Sequence, residues 1–314
     1  MALSESEISS LIKSPPARGR QERFWSRQNL PYFLLALPAI VLFAIFMVYP
    51  VCGGFYYSLT NWSGIDNHIK FIGLANYITL FKDSYVLEPI INSFKYALVV
   101  TIFQNIVSLM LAIALDQQIK SRNLLRALIF IPALLSPLIV GYIWSFIFTQ
   151  PLAALGRMLN WTFLANNVLG DASTSLYAAM FVTIWRMAGW TMVVYIAGLQ
   201  AIPQSLYEAA AVDGSGKWYK FRHITFPLIA PAFTINMVIT MERAFKEFDL
   251  LFSLTGGGPG HASEVIALTI YKESFANFRA GYGTAIGVVL FFILLILTLV
   301  QLKFLRKREE DVTF

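Results

Sequence analysis

Long apolar runs alternate with shorter polar stretches along these 314 residues, and the alternation predicts six membrane-crossing helices. The runs cover residues 31–59, 92–115, 124–149, 176–201, 228–252 and 282–304. The first carries Pro38 and Pro50 and ends near Tyr56, Tyr57 and Trp62. The third contains Pro132 and Pro137, neither of which can donate to the carbonyl four residues back, so a kink is expected there. The sixth is the most uniformly apolar. The fold class expected is all-α, a polytopic membrane protein with six transmembrane helices.

Residues 205–227, between the fourth and fifth runs, break the apolar pattern with a signature of their own. Ser205 and Glu208 match an S-x-x-E capping box, in which the serine caps the first amides and the glutamate reaches back. A helix over 206–213 follows, stopped by Gly214, the residue best suited to a left-handed position after a helix. Ser215 then caps a second short helix carrying Lys217, Trp218, Tyr219, Lys220, Phe221 and Arg222, which Pro227 ends. The expected element is a compact helix–turn–helix. The plain reading is a solvated loop that happens to be helical. The sharper one notes exposed aromatics flanked by charge, as in a helix that docks in another protein's groove.

Composition agrees with the pattern. Hydrophobic residues make up 57% of the chain and charged ones only 13%, with a mean hydropathy of +0.62. A soluble domain with so little charge could not cover its own surface. The net charge of +6 does not point to nucleic acid, because the basic residues sit at the ends of apolar runs. Fifteen Lys and Arg fall on one side: the N-terminal tail, the loops after the second and fourth runs, and the C-terminal tail. Five fall on the other. The positive-inside rule therefore places both termini and the helix–turn–helix in the cytoplasm. The expected organisation is a cytoplasmic tail over 1–29 with no cleavable signal, a transmembrane domain over 30–305 containing the 205–227 loop, and a cytoplasmic tail over 306–314.

Several chemistries lack their residues. Gly214–Lys217 reads GSGK, but Ala211 and Trp218 stand where a phosphate loop needs Gly and Ser or Thr, so no ATP is expected on this chain. Cys52 is the lone cysteine, and His68, His223 and His261 have no ligand spacing, so no metal is expected either. No catalytic set is visible and no enzymatic activity is expected. Charges inside the apolar runs are the remaining signal, since they are costly in lipid. They are Lys95, Arg186, Glu242, Arg243, Lys246, Glu247 and Asp249. Glu242/Lys246 and Arg243/Glu247 are i,i+4 pairs that can neutralise each other on a helix. Either they solvate one end of the fifth helix, or Trp185, Arg186, Trp190, Asn236, Glu242 and Lys246 line a polar path through the bundle. Aromatic faces beside hydrogen-bonding groups suit sugar rings.

The polar stretch also carries a resemblance. Glu208-Ala209-Ala210, three residues, Gly214, nine residues, Ile224, one residue and Phe226-Pro227 resemble the EAA loop of binding-protein-dependent ABC importer permeases. Phe226 stands where that family favours Leu, and Asp213 before the glycine is usual there. Residues 32–50, the FIGLANY segment (Phe71–Tyr77) and the glycine run Thr255–Gly260 are similar to the first permease of carbohydrate-uptake systems, the MalF/UgpA type. The chain lacks room for a large extra outer domain. The resemblance implies a heterodimer with a second homologous permease and two ATP-binding subunits, which would hold ATP and magnesium. It also implies an extracytoplasmic solute-binding protein that delivers a sugar across the lipid. ATPase coupling is then expected of Glu208, Ala209, Ala210, Asp213, Gly214, Trp218 and Phe221.

Overall fold

The structure, a computed structural model, describes residues 30–117 and 119–310, so the 1–29 tail and residues 311–314 lie outside the described part. Chain contacts separate a first unit ending at Gly53 from a second beginning at Gly54. Helix α1 (Leu30–Phe43) passes through a π-turn (Ala44–Val48) into α2 (Tyr49–Tyr57), within which the first unit ends. The amide of Tyr49 reaches back five residues, to Ala44. This wider turn precedes Pro50, whose ring would otherwise press on the carbonyl four residues back. Phe33–Tyr57 is thereby one apolar helical stretch of 25 residues.

After the last turns of α2, the second unit continues with a short helix, α3 (Ala75–Leu80), which begins in the FIGLANY segment. Asn76 ties it down by donating its amide to the carbonyls of Ser58 and Thr60 at 2.8 and 2.9 Å. Helix α4 then runs for 33 residues, Ser84–Asp116, capped by the Asp83 carboxylate on the amide of Tyr85 at 3.0 Å. It starts earlier than residue 92, where the apolar run does. Ser84, Glu88 and Pro89 interrupt the apolar run there, yet Val86 is buried in the core and holds these turns in the helix.

The third expected span is not one kinked helix. Helix α5 (Arg122–Leu134) contains Pro132 and stops, while Leu135 and Ser136 are extended at ψ 142° and 132°. Helix α6 (Pro137–Thr149) starts on Pro137 and leads into α7 (Pro151–Met158). A residue before proline is pushed out of the helical region, so Ser136 breaks the path where a bend was expected. The stretch long and apolar enough to cross a membrane here is Pro137–Met158. A four-residue turn, α8 (Thr162–Ala165), follows.

Helix α9 (Ser175–Gln200) is the axis of the unit and packs on α4 and α5. Small residues let neighbours approach: a Cβ on Gly189 would meet the carbonyl oxygen of Ile129, on α5, at 2.2 Å. Gly189→Ala should therefore force α9 and α5 apart and cost about 1–3 kcal/mol, as overpacking does. A thermal melt of the detergent-solubilised protein checks this, and an unchanged midpoint would contradict it.

The fifth expected span also differs. After α10 (Gln204–Val212) and α11 (Lys217–Lys220) come a π-turn (Phe221–Thr225), α12 (Phe226–Leu228) and α13 (Ala230–Phe245). The pair Lys217–Leu228 and Ala230–Phe245 bends by 67° at Ile229. The long helix ends at Phe245, and Asp249–Leu254 forms a separate α14 packed on α6. Helix α15 (Ile266–Tyr271), a π-turn (Lys272–Ala276) and α16 (Ala280–Glu310) complete the chain. Five described helices are long and apolar enough to cross a membrane, or six with the bent pair counted as one.

Two buried clusters form the core. One joins α4, α9, α14, α15 and α16 around residues such as Tyr96, Met180, Leu251 and Ile286. The other gathers Leu115, Met192, Tyr195, Leu199, Ile202 and Ile229 at the opposite end of α4 and α9, below the short helix α10.

Candidate functional site

The 204–228 segment is a helix–turn–helix, though not capped as expected. Helix α10 begins at Gln204 with Pro203 at the N-cap and no side-chain cap, so Ser205 lies inside the first turn and the capping box does not form. At the other end Gly214 takes φ +72°. Ser215 N–H bonds to the Ala210 carbonyl at 2.9 Å and Gly214 N–H to Ala211 at 3.1 Å, a full Schellman closure. Gly216, not Ser215, occupies the N-cap of α11. The second helix ends at Leu228, one residue past Pro227, which it includes. The Phe226 amide bonds five residues back to Phe221, and this π-turn makes room for the ring just as the one before Pro50 does.

The segment has an inner and an outer face. Ala210 is buried, Leu206, Tyr207 and Ile224 pack on the second cluster, and Tyr207 Oη lies 2.9 Å from Thr225 Oγ1. Glu208, Ala209 and Asp213 are exposed, as are Val212 (88%) and Trp218 (71%). Phe221, expected to be exposed, is half-buried. It belongs to a chain of ring contacts, Trp218–Phe221–Phe226–Phe233, at 5.6, 6.0 and 5.9 Å between centroids. That chain leads from the exposed tip into α13.

The charged residues of the fourth and fifth runs meet at a cavity of about 390 Å³. Arg186, Arg243, Lys246, Glu247 and Asp249 line it with Gln104, Thr183 and Thr240. Glu247 does not pair with Arg243 as expected from i,i+4 spacing. The helix stops at Phe245, which releases Glu247 to reach Arg186 at 3.2 Å, both side chains about nine-tenths buried. Arg243 instead stacks over the Trp190 ring at 4.2 Å. The Glu242–Lys246 pair does form, on the exposed side.

Of the six expected path residues, Arg186 and Lys246 line the cavity and Trp190 borders it through Arg243. Trp185 faces away, into an apolar groove beside Phe181 and Trp144. Asn236 is fully buried and donates to the Thr191 carbonyl at 3.2 Å. Glu242 stays outside the cavity lining. The sequence reading missed Gln104, Thr183 and Thr240. For Gln104 the signal was present in α4, where Thr101, Gln104, Asn105 and Ser108 recur at helical spacing and are all buried; Thr183 on α9 and Thr240 on α13 carry no such stripe. In lipid a polar stripe of this kind points inward.

Comparison with known proteins gives the family. Residues 104–310 match the binding-protein-dependent transport system inner membrane components. The chain belongs to that family. This inner-membrane component is 36% identical to the probable starch degradation products transport system permease protein AmyD of Thermoanaerobacterium thermosulfurigenes, over 91% of this chain and 97% of the relative. It is 32% identical to the sn-glycerol-3-phosphate transport system permease protein UgpA of Brucella abortus, covering 89% and 95% of the two. Its fold matches a chain of the bacterial alginate ABC transporter solved in complex with an alginate pentasaccharide-bound periplasmic protein. The TM-score is 0.78 at 23% identity, over 90% of this chain and 96% of the other.

Proposed function

We propose that the chain is a permease subunit of an ATP-driven importer that takes up an oligosaccharide or related sugar brought by an extracytoplasmic solute-binding protein. The observation that carries this reading is the outer face of α10 and α11, where Glu208, Ala209, Asp213 and Trp218 stand exposed, with α10 packed on the core from behind through Leu206, Tyr207 and Ala210. Such a rigid, half-apolar face suits docking. In this reading two ATP-binding subunits seat there, holding ATP and magnesium, and a second homologous permease completes the membrane unit. The chain is then a multi-pass protein of the cytoplasmic membrane, with both termini and the docking face inside, as its Lys and Arg distribution favours.

The cavity between α4, α9 and α13 is the substrate path in this reading. Arg186 with Glu247, and Arg243 held over Trp190, bring donors and acceptors together at one place beside Phe248. AmyD, whose name concerns starch degradation products, supports a neutral saccharide as cargo. An acidic sugar or a glycerol-phosphate-type ester is the second reading. It is favoured by Arg243, whose contact among the described residues is an aromatic ring rather than a carboxylate.

Reconstitution with the partner subunits tests both. Uptake into proteoliposomes should require ATP and the binding protein together. Uptake by this chain alone, driven by an ion gradient, would replace the proposal with an ion-coupled secondary transporter. Calorimetric titration of the binding protein should show heat with neutral oligosaccharides. Heat only with uronic acids or glycerol phosphate would shift the assignment to the second reading.

A further inference from the structure

At the end of the unit opposite the docking helices, the Thr255–Glu264 loop is fastened from several sides. Glu264 is fully buried. Its carboxylate accepts from His261 Nδ1 at 2.6 Å, Lys272 Nζ at 2.7 Å and Thr269 Oγ1 at 2.9 Å. Asn92, on α4, aims its amide nitrogen at the carbonyls of His261, Ala262 and Glu264, at 3.5, 3.3 and 3.2 Å. Ser93, the next residue, accepts from the Ile266 amide at 2.8 Å. Within the loop Gly256, Gly257, Gly260 and His261 all have positive φ, and for His261, at +71°, that conformation persists only where surroundings enforce it.

A second set of contacts braces the first. Glu273 pairs with Arg279 at 3.2 Å, and Arg279 lies over the Tyr282 ring at 4.2 Å. Tyr282 donates to the Asp83 carboxylate at 3.2 Å, and the Tyr85 ring meets His261 edge-on at 4.7 Å. Loop, π-turn, α16 and the first turns of α4 are thus joined. An apolar loop would need none of this, and a buried carboxylate is tolerated only when paired and hydrogen-bonded.

Helix α4 gives the arrangement a direction. Asn92 and Ser93 hold the loop, Gln104 lines the polar cavity three turns on, and Ala112 and Leu115 enter the core under the docking helices. One helix of 33 residues, about 50 Å long, touches all three places. We propose that Glu264 is a positioning residue: its carboxylate holds the Thr255–Glu264 loop to α15 and the π-turn in the one shape whose carbonyls Asn92 of α4 can grip, so that loop and helix act as one lever between the solute-binding protein outside and the ATPases inside. This rests on the importer reading above.

The test uses the complete reconstituted complex and measures ATP hydrolysis against the concentration of sugar-loaded binding protein. Glu264→Gln should assemble and hydrolyse ATP at the wild-type basal rate. Its maximal stimulation should fall about tenfold, within the range of measured site-to-site couplings, at an unchanged half-saturating concentration. Asn92→Ala frees the same loop without leaving a buried charge and should show the same split, while Glu264→Asp should recover part of the stimulation. Normal maximal stimulation, or a rise in the half-saturating concentration alone, would overturn the lever. Loss of assembly in both Glu264→Gln and Asn92→Ala would overturn it too, by reducing the cluster to a folding element. A wild-type complex that never responds to loaded binding protein would instead refute the importer reading itself.

Discussion

Gly214→Pro leaves the protein in the membrane and reduces ATP-driven uptake to background. Gly214 sits at φ +72° with open space around it and donates its amide to Ala211. Proline can adopt neither the angle nor the hydrogen bond, so the Schellman closure cannot form and α11 loses its place against α10. Conformation rather than crowding is at issue, which predicts a graded series. Asn tolerates the left-handed region and should retain most activity; Ala pays about 1–2 kcal/mol and should fall between Asn and Pro. Glu208→Lys reverses a charge on the exposed face and should lower uptake on the order of 100-fold, as a repulsive contact at an interface does. Uptake assays beside a quantified membrane fraction check the series. Gly214→Pro transporting at the wild-type rate with normally assembled ATPases would remove the docking role.

Arg186→Ala and Glu247→Gln should each destabilise the protein by about 3–5 kcal/mol, because each leaves the partner charged and buried. The pair is separated by 3.2 Å and joins α9 to the break after α13, so its loss also opens the cavity wall. A melting temperature lower on the order of 10 °C is expected for either single variant in detergent. The double variant Arg186→Met/Glu247→Met should recover most of the stability, since neither charge remains unpaired, but not the transport. Strictly additive losses among Arg186→Met, Glu247→Met and their double variant would show that the two residues do not form a unit.

Some of this was legible in the chain and some was not, for identifiable reasons. Gly214 could be read because a left-handed turn after a helix is a local demand that one residue type meets best. Ser205 and Ser215 were misread because capping depends on where the helix begins, and Pro203 and Gly216 moved both starts. Pro227 was readable as a stop, since the helix ends at Leu228, but the π-turn that admits its ring is announced by no local motif. Arg243 and Glu247 looked like an i,i+4 pair only as long as the helix was assumed to continue. Once it ends at Phe245, each finds a partner on α9, Arg243 at Trp190 and Glu247 at Arg186, far earlier in the chain.

The sequence by itself determined the all-helical membrane class, the family-bearing spacing around Glu208 and Gly214, and the set of charges that lipid makes expensive. Those properties follow from local periodicity, local backbone preference and transfer cost, which a chain carries wherever it folds. Only the tertiary structure decided which charges share a cavity, that Trp185 and Asn236 stand apart from it, and that Glu264 is buried under His261, Lys272 and Thr269. Those are pairings between distant segments. Their energies depend on separation and burial, and neither exists until α4, α9 and α13 have packed.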